Sequence, residues 1–192
     1  MVVILLGTGF EEVEALAPCD VLRRGGVDTK LVGLDSITVA GGRGISVQCD
    51  MVLADLDCAQ VELLVIPGGL GGVASISGCP KALEAIQMIH DQGGYVAAIC
   101  AGPTILAKLG LLAGKEVTGY PTTEDQLTGA TYHGDFHVVV HGNIITAKAA
   151  GSSLTFGKVL TRIMADRQTA IHVMDGMYGT TEAVLWVADT KE

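Results

Sequence analysis

The chain has 192 residues, 49% of them hydrophobic, with 21 acidic against 12 basic side chains and a formal net charge of −9. That length fits one domain over residues 1–192 with a sizeable core, and the charge argues against a nucleic-acid partner, whose phosphates need clustered Lys and Arg. No apolar run approaches the roughly 18 residues of a membrane span, and Met1-Val2-Val3-Ile4-Leu5-Leu6 lacks the basic flank and length of a signal peptide, so a cytoplasmic location is expected.

Val2–Leu6 is a continuous apolar run, the pattern of a strand covered on both faces in a parallel sheet. Glu11 to Arg24 reads as a helix, Thr29–Leu34 as another parallel strand, and ITVAGGRGISVQ at 37–48 as a hairpin with a Gly-rich turn. Leu63–Ile66 repeats the buried-strand pattern and runs into Pro67-Gly68-Gly69. Gly69-Leu70-Gly71-Gly72-Val73-Ala74 loosely fits the G-x-G-x-x-A of a nucleotide loop. No helix is predicted to open there and Pro67 precedes it, so no cofactor is assigned. Lys81–Gln92 is predicted helical, Tyr95–Ile99 a buried strand and Thr104–Leu112 a helix. FHVVVHGNIITAK at 136–148 reads as a hairpin turning near Gly142-Asn143. Ser152–Met164 is a helix expected to be capped by Ser152 or Ser153. From Asp175 a Gly-rich loop leads to TEAVLWVA, a last short element against the sheet. Alternating strands and helices predict an α/β doubly wound, three-layer sandwich with a mostly parallel central sheet.

In such sheets ligands bind beyond the carboxyl ends of the strands. Cys100 lies there, between the strand YVAAI and a helix opening at Pro103. The other cysteines, Cys19, Cys49, Cys58 and Cys79, make an odd total of five with no C-x-x-C pair, so neither a disulfide framework nor a zinc site is read. A nucleophile elbow needs small residues two before and two after the nucleophile, and Ala98 and Gly102 stand there. Pro103 suits a first helical turn. The helix N-terminus is expected to favour the thiolate and draw the thiol pKa down.

GFEEVEAL places three acids at a helix start, where negative charge is favourable; Glu11 and Glu12 need no other explanation. At about 3.6 residues per turn, Val13, Leu16, Ala17 and Val21 form the inward stripe with Glu14 at its edge. A partly desolvated Glu14 would have a raised pKa and would hold a proton while Cys100 is anionic. Helical phase alone leaves open whether Glu14 faces the site. Asp20 falls inside the stripe, either because Pro18 shifts the helix or because Asp20 is a buried acid supporting the site; the second reading is the expectation.

AAICAGP at 97–103, PGG at 67–69, GFEEVEALAPCDVLRRGG at 9–26 and VTGYP at 117–121 together resemble the ThiJ/PfpI family, in its Parkinson-disease-associated protein deglycase branch. The likeness runs over essentially the whole chain. It implies a flavodoxin-like fold, a homodimer, a reactive Cys100 at the elbow, and Glu14 as its partner. It also implies an oxyanion and substrate pocket at Gly68, Gly69 and Ala101. Ala101 stands where the peptidase-like branch has a histidine, so a Cys–His peptidase or amidase is disfavoured. Tyr120 replaces a histidine common in the deglycase branch; it can donate a hydrogen bond but is a poor base. Lys148 stands where an arginine is common, at the dimer-facing side of the site.

His133, Asp135, His137 and His141 share one strand parity, which a metal site could exploit, but Gly134 and a turn interrupt them and a polar solvent face explains them as well. No metal is assigned. The activity implied is cofactor-independent conversion of methylglyoxal or glyoxal, or of their adducts with amines and thiols. The alternative is a redox-sensing, chaperone-like protein whose Cys100 is oxidised to the sulfinate.

Overall fold

Every residue of β1 (Val2–Leu6) is buried because its two faces meet two separate cores. Val3 and Leu5 join one, with Ile86 and Ile105. Val2, Ile4 and Leu6 join the other, with Leu22 and Phe156. Side chains alternate across a strand, so an unbroken apolar run is what a strand between two helical layers requires.

The computed structural model describes residues 1–177 and the backbone of 184–187. After β1 come α1 (Glu12–Arg24), β2 (Thr29–Gly33), β3 (Thr38–Ala40), β4 (Ser46–Gln48), β5 (Met51–Val52) and β6 (Leu63–Ile66). Then follow α2 (Leu70–Ser77), α3 (Pro80–Asp91), β7 (Tyr95–Ile99), α4 (Pro103–Lys108), β8 (Glu116–Val117) and β9 (Thr131–Tyr132). The remainder is β10 (Val138–His141), β11 (Ile144–Ala147), α5 (Ser153–Met164), α6 (Arg167–Gly176) and β12 (Val184–Val187).

The main sheet runs β12-β10-β11-β7-β6-β1-β2-β5. Only β10 and β11 pair antiparallel; the other neighbours are parallel. Ile76, Ile86 and Ile105 bring α2, α3 and α4 to one face. Ala15 and Phe156 bring α1 and α5 to the other, and α6 packs Val173 and Met174 on Val21. This is the predicted flavodoxin-like three-layer α/β sandwich. Both hairpins form, β3 with β4 and β10 with β11. No helix among the described residues is long and apolar enough to cross a membrane.

Four local expectations need correcting. α2 opens directly at Leu70, where Gly71 and Gly72 hide its helical pattern. α4 stops at Lys108, short of Leu112, and Gly110 follows in the left-handed region, where helices commonly end. Ser152 does not cap α5: its hydroxyl pairs with His137 Nδ1 at 2.9 Å, and Ser153 Oγ donates to the Ala150 carbonyl at 2.7 Å. Asp175 lies inside α6, one residue before its end at Gly176, and the helix start is capped by the Asp166 side chain, which accepts from Thr169 N–H at 2.8 Å. Within TEAVLWVA, the backbone of Val184–Val187 pairs parallel with β10; the preceding Gly-rich loop lies outside the described residues.

Candidate active site

The chain reverses between Ile99 and Pro103, and Cys100 takes φ +63°, the one non-glycine among the described residues with positive φ. Such a conformation costs about 1–3 kcal/mol and persists only where surrounding contacts impose it. Here Cys100 N–H donates to the Ala147 carbonyl at 2.9 Å, and the Cys100 carbonyl accepts from Tyr120 N–H at 2.8 Å. At Gly102 a Cβ would lie 2.7 Å from the Ile66 carbonyl oxygen and 2.9 Å from that of Ile99, so only glycine fits. The elbow read from Ala98 and Gly102 is present, and it aims the thiol into a cavity of about 730 Å³.

Glu14, in the first turn of α1, is 1% exposed. Its carboxylate accepts from Gly68 N–H at 2.8 Å and is hydrogen-bonded to the Cys100 thiol. Gly68 permits this contact, since a Cβ there would collide with Glu14 Oε2 and lie 2.7 Å from Cys100 Cβ. Gly68 is therefore a spacer between acid and thiol. Its N–H is committed to Glu14, which corrects its assignment to the substrate pocket. Gly69 and Ala101 do line the cavity, as does Tyr120, 43% exposed.

Burial lifts Glu14 to about 7, against the hydrogen bonds from Cys100 and Gly68 that pull it down. Burial also pushes the Cys100 thiol up to about 12, aided by the Glu14 charge and its hydrogen bond; Ala101 N–H pulls the other way. The expected depression of the thiol by the helix end is thus overturned. α4 has six residues, and its stabilising effect is smaller than the cost of a buried sulfur anion beside a carboxylate. The pair rests with its proton on sulfur and a carboxyl poised near neutrality to take it.

Two supporting residues lie elsewhere. Asp20 is exposed and pairs with Arg24 at 2.7 Å, an i,i+4 surface contact. Beyond its first turn α1 buries Ala15, Pro18, Cys19, Val21 and Leu22; of the expected stripe Val21 is buried, Leu16 and Ala17 are half-buried and Val13 is 43% exposed, with Pro18 packed inward in their place. Lys148 is half-buried and does not line the cavity; its N–H donates to the His137 carbonyl at 3.0 Å.

The sequence reading missed three residues. Glu12, 5% exposed, accepts from Arg43 N–H at 2.7 Å and Ile45 N–H at 3.3 Å, fastening the β3–β4 turn to α1. Glu11 pairs with the Arg43 guanidinium at 3.3 Å, and both line the cavity. An arginine inside a Gly-rich turn was the available signal, but no local pattern joins residues 12 and 43.

The histidines do not converge. His133 pairs with Glu116, His137 with Ser152, and His141 Nδ1 accepts from Glu116 N–H at 3.0 Å. Among the described residues no cluster of three His, Cys, Asp or Glu is arranged to hold a metal. The Gly-rich start of α2 serves packing, since a Cβ on Gly72 would lie 2.7 Å from Phe10 Cα. Cys19 and Cys49 are buried, Cys58 and Cys79 half-buried, and none is disulfide-bonded.

Residues 1–163 match the DJ-1/PfpI family. The chain is 34% identical over 181 residues to protein dj-1beta of Drosophila melanogaster, covering 91% of this chain and 94% of that one. The crystal structure of Drosophila melanogaster DJ-1beta superposes with a TM-score of 0.90 at 32% identity, over 94% of this chain and 98% of that one. A Caenorhabditis elegans relative named glutathione-independent glyoxalase DJR-1.2 is 33% identical over 147 residues, 76% of this chain and 78% of that one. On this sequence and fold similarity, the chain belongs to the DJ-1/PfpI family.

Proposed function

We propose that this cavity is the active site of a cofactor-independent enzyme acting on small α-oxoaldehydes such as methylglyoxal, or on their adducts with amines and thiols. The observation that carries the reading is the buried contact between the Cys100 thiol and the Glu14 carboxyl, at the wall of a cavity of about 730 Å³. A nucleophile with a high pKa needs an adjacent base, and a carboxyl near 7 is matched to that task at neutral pH. Glu14 takes the thiol proton as sulfur attacks the aldehyde carbon, giving a hemithioacetal. The N–H groups of Ala101 and Gly69 receive the developing oxyanion. Glu14 passes the thiol proton to the oxygen of the second carbonyl and then carries a proton from the aldehyde carbon to its neighbour, so one carbon is oxidised and the other reduced with no external oxidant. Water releases the resulting thioester as a 2-hydroxy acid and restores the thiol. Tyr120, on the same wall, orients the second carbonyl.

The cavity exceeds the needs of a three-carbon aldehyde, which favours substrates that include amine- or thiol-borne adducts. Val13 and Leu154, exposed on the packed helices α1 and α5, support a homodimer. The test is lactate release from methylglyoxal by purified protein, with Cys100→Ser expected to lose at least about a hundredfold in rate, the lower range of acid–base and nucleophilic contributions. Equal rates in the two proteins would refute the reading.

The same contact favours a second role. A protonated Glu14 can donate a hydrogen bond to a Cys100 sulfinate, stabilising that oxidation state. Mild peroxide should then add two oxygens preferentially at Cys100, measured by mass spectrometry; uniform oxidation of all five cysteines counts against it.

A further inference from the structure

The cavity wall carries a charge pair that the chemistry above leaves unused. Glu11, the residue preceding α1, and Arg43, in the β3–β4 turn, meet at 3.3 Å. The Glu11 side chain is 19% exposed, whereas that of Arg43 is 73% exposed, so the guanidinium reaches from solvent onto a half-buried acid at the rim. Among the described residues Arg43 is the one basic side chain lining the cavity, and the acids are Glu11 and Glu14.

We propose that Arg43 is a positioning residue for the thiol chemistry: by partly offsetting the Glu11 charge it weakens a second negative charge that acts on the Cys100–Glu14 pair, and so sets the pH at which that pair becomes reactive.

Geometry separates this task from holding the turn in place. The turn is anchored by backbone groups: Gly42 N–H donates to the Phe10 carbonyl at 2.7 Å, Gly9 N–H to the Ala40 carbonyl at 2.8 Å, and Arg43 N–H to Glu12. None of these contacts involves the Arg43 side chain, so its guanidinium is delivered to Glu11 by a turn that would stand without it. The Glu11 charge acts on both members of the pair, raising the proton affinity of Glu14 and of Cys100. The groups facing the thiol are Glu11 and Glu14 from the α1 side, Arg43 from the hairpin and Tyr120 from the loop after β8; α2, α4 and α5 bring no charged side chain to the cavity wall.

The inference deepens the enzymatic reading and rests on the same thiol, but its test reads alkylation, which reports on sulfur whether or not an aldehyde is turned over. The pH dependence of Cys100 alkylation by iodoacetamide is followed by site-resolved mass spectrometry in wild type, Arg43→Gln, Arg43→Lys, Glu11→Gln and the Glu11→Gln/Arg43→Gln double variant. Arg43→Gln is expected to move the midpoint up by about half a pH unit, roughly a threefold loss of rate below it, the scale of one rim charge. Arg43→Lys restores the profile. Glu11→Gln lowers the midpoint, and in its background Arg43→Gln has little further effect.

An unchanged midpoint in Arg43→Gln overturns the proposal. So does an equal shift in both backgrounds, which would mean that Arg43 acts on sulfur directly. Should Arg43→Gln fail to fold, the Glu11→Gln midpoint decides: a fall supports the proposal and no change overturns it. Loss of aldehyde turnover with the alkylation pattern intact counts against the enzymatic reading alone.

Discussion

Replacing Glu14 by Gln keeps the side chain's shape and an acceptor for Gly68 N–H, but removes an ionisable group that is 1% exposed. Burial lifts that carboxyl from 4.5 to about 7. Between those values the unfolded chain has released a proton that the native chain still holds, so native stability falls with rising pH. The contribution is complete below pH 4.5 and is lost as pH passes through 7. A displacement of this size is worth about 3 kcal/mol. Glu14→Gln has no such proton to lose. Its stability should match wild type near pH 4.5 and exceed it by about 3 kcal/mol at pH 8, while aldehyde turnover collapses. Urea unfolding at several pH values, at fixed protein concentration, reads this directly. With a slope of roughly 3 kcal/mol per molar urea, the midpoints should separate by about 1 M at pH 8. Parallel pH dependence in the two proteins, or a Glu14→Gln variant less stable at pH 8, would show that the acid is not held protonated by burial.

Gly68→Ala forces a methyl between the carboxyl and the thiol; overpacking should cost about 1–3 kcal/mol in urea unfolding, and aldehyde turnover at pH 7 should slow by at least about tenfold as Glu14 loses reach of the proton it must accept. The rate of aldehyde turnover in wild type should rise with pH through an inflection near 7, as Glu14 ionises to act as base; a profile flat from pH 5 to 8 would remove Glu14 from that role. Glu12→Ala deprives the Arg43 and Ile45 N–H groups of their acceptor. It should cost about 2–3 kcal/mol, seen in urea unfolding, and speed proteolysis in the 41–45 turn.

The layers of the fold were legible because both sheet faces are buried: Val2–Leu6, Leu63–Ile66 and Tyr95–Ile99 are apolar at every position, and that pattern is local. The elbow was legible for the same reason, since Ala98, Gly102 and Pro103 stand beside Cys100. Glu14 was only half legible. Its burial depends on Gly68, 54 residues away, and helical phase placed Asp20 inside when Pro18 in fact takes that side. Glycines concealed α2 by lowering its apparent helicity, although they are what lets it pack against Phe10. The thiol's proton affinity could not be read from motif chemistry, because it is set by desolvation in a cavity whose walls come from six separate segments.

Glu14, Gly68 and Cys100 belong to three successive strand–helix units, and each becomes neighbour to the others only when β1, β6 and β7 have zipped together. A chain still emerging from the ribosome therefore carries only an ordinary sulfhydryl at this corner. Reactivity arrives with completion of the sheet, so the protein cannot be modified through its own special chemistry before it has finished folding.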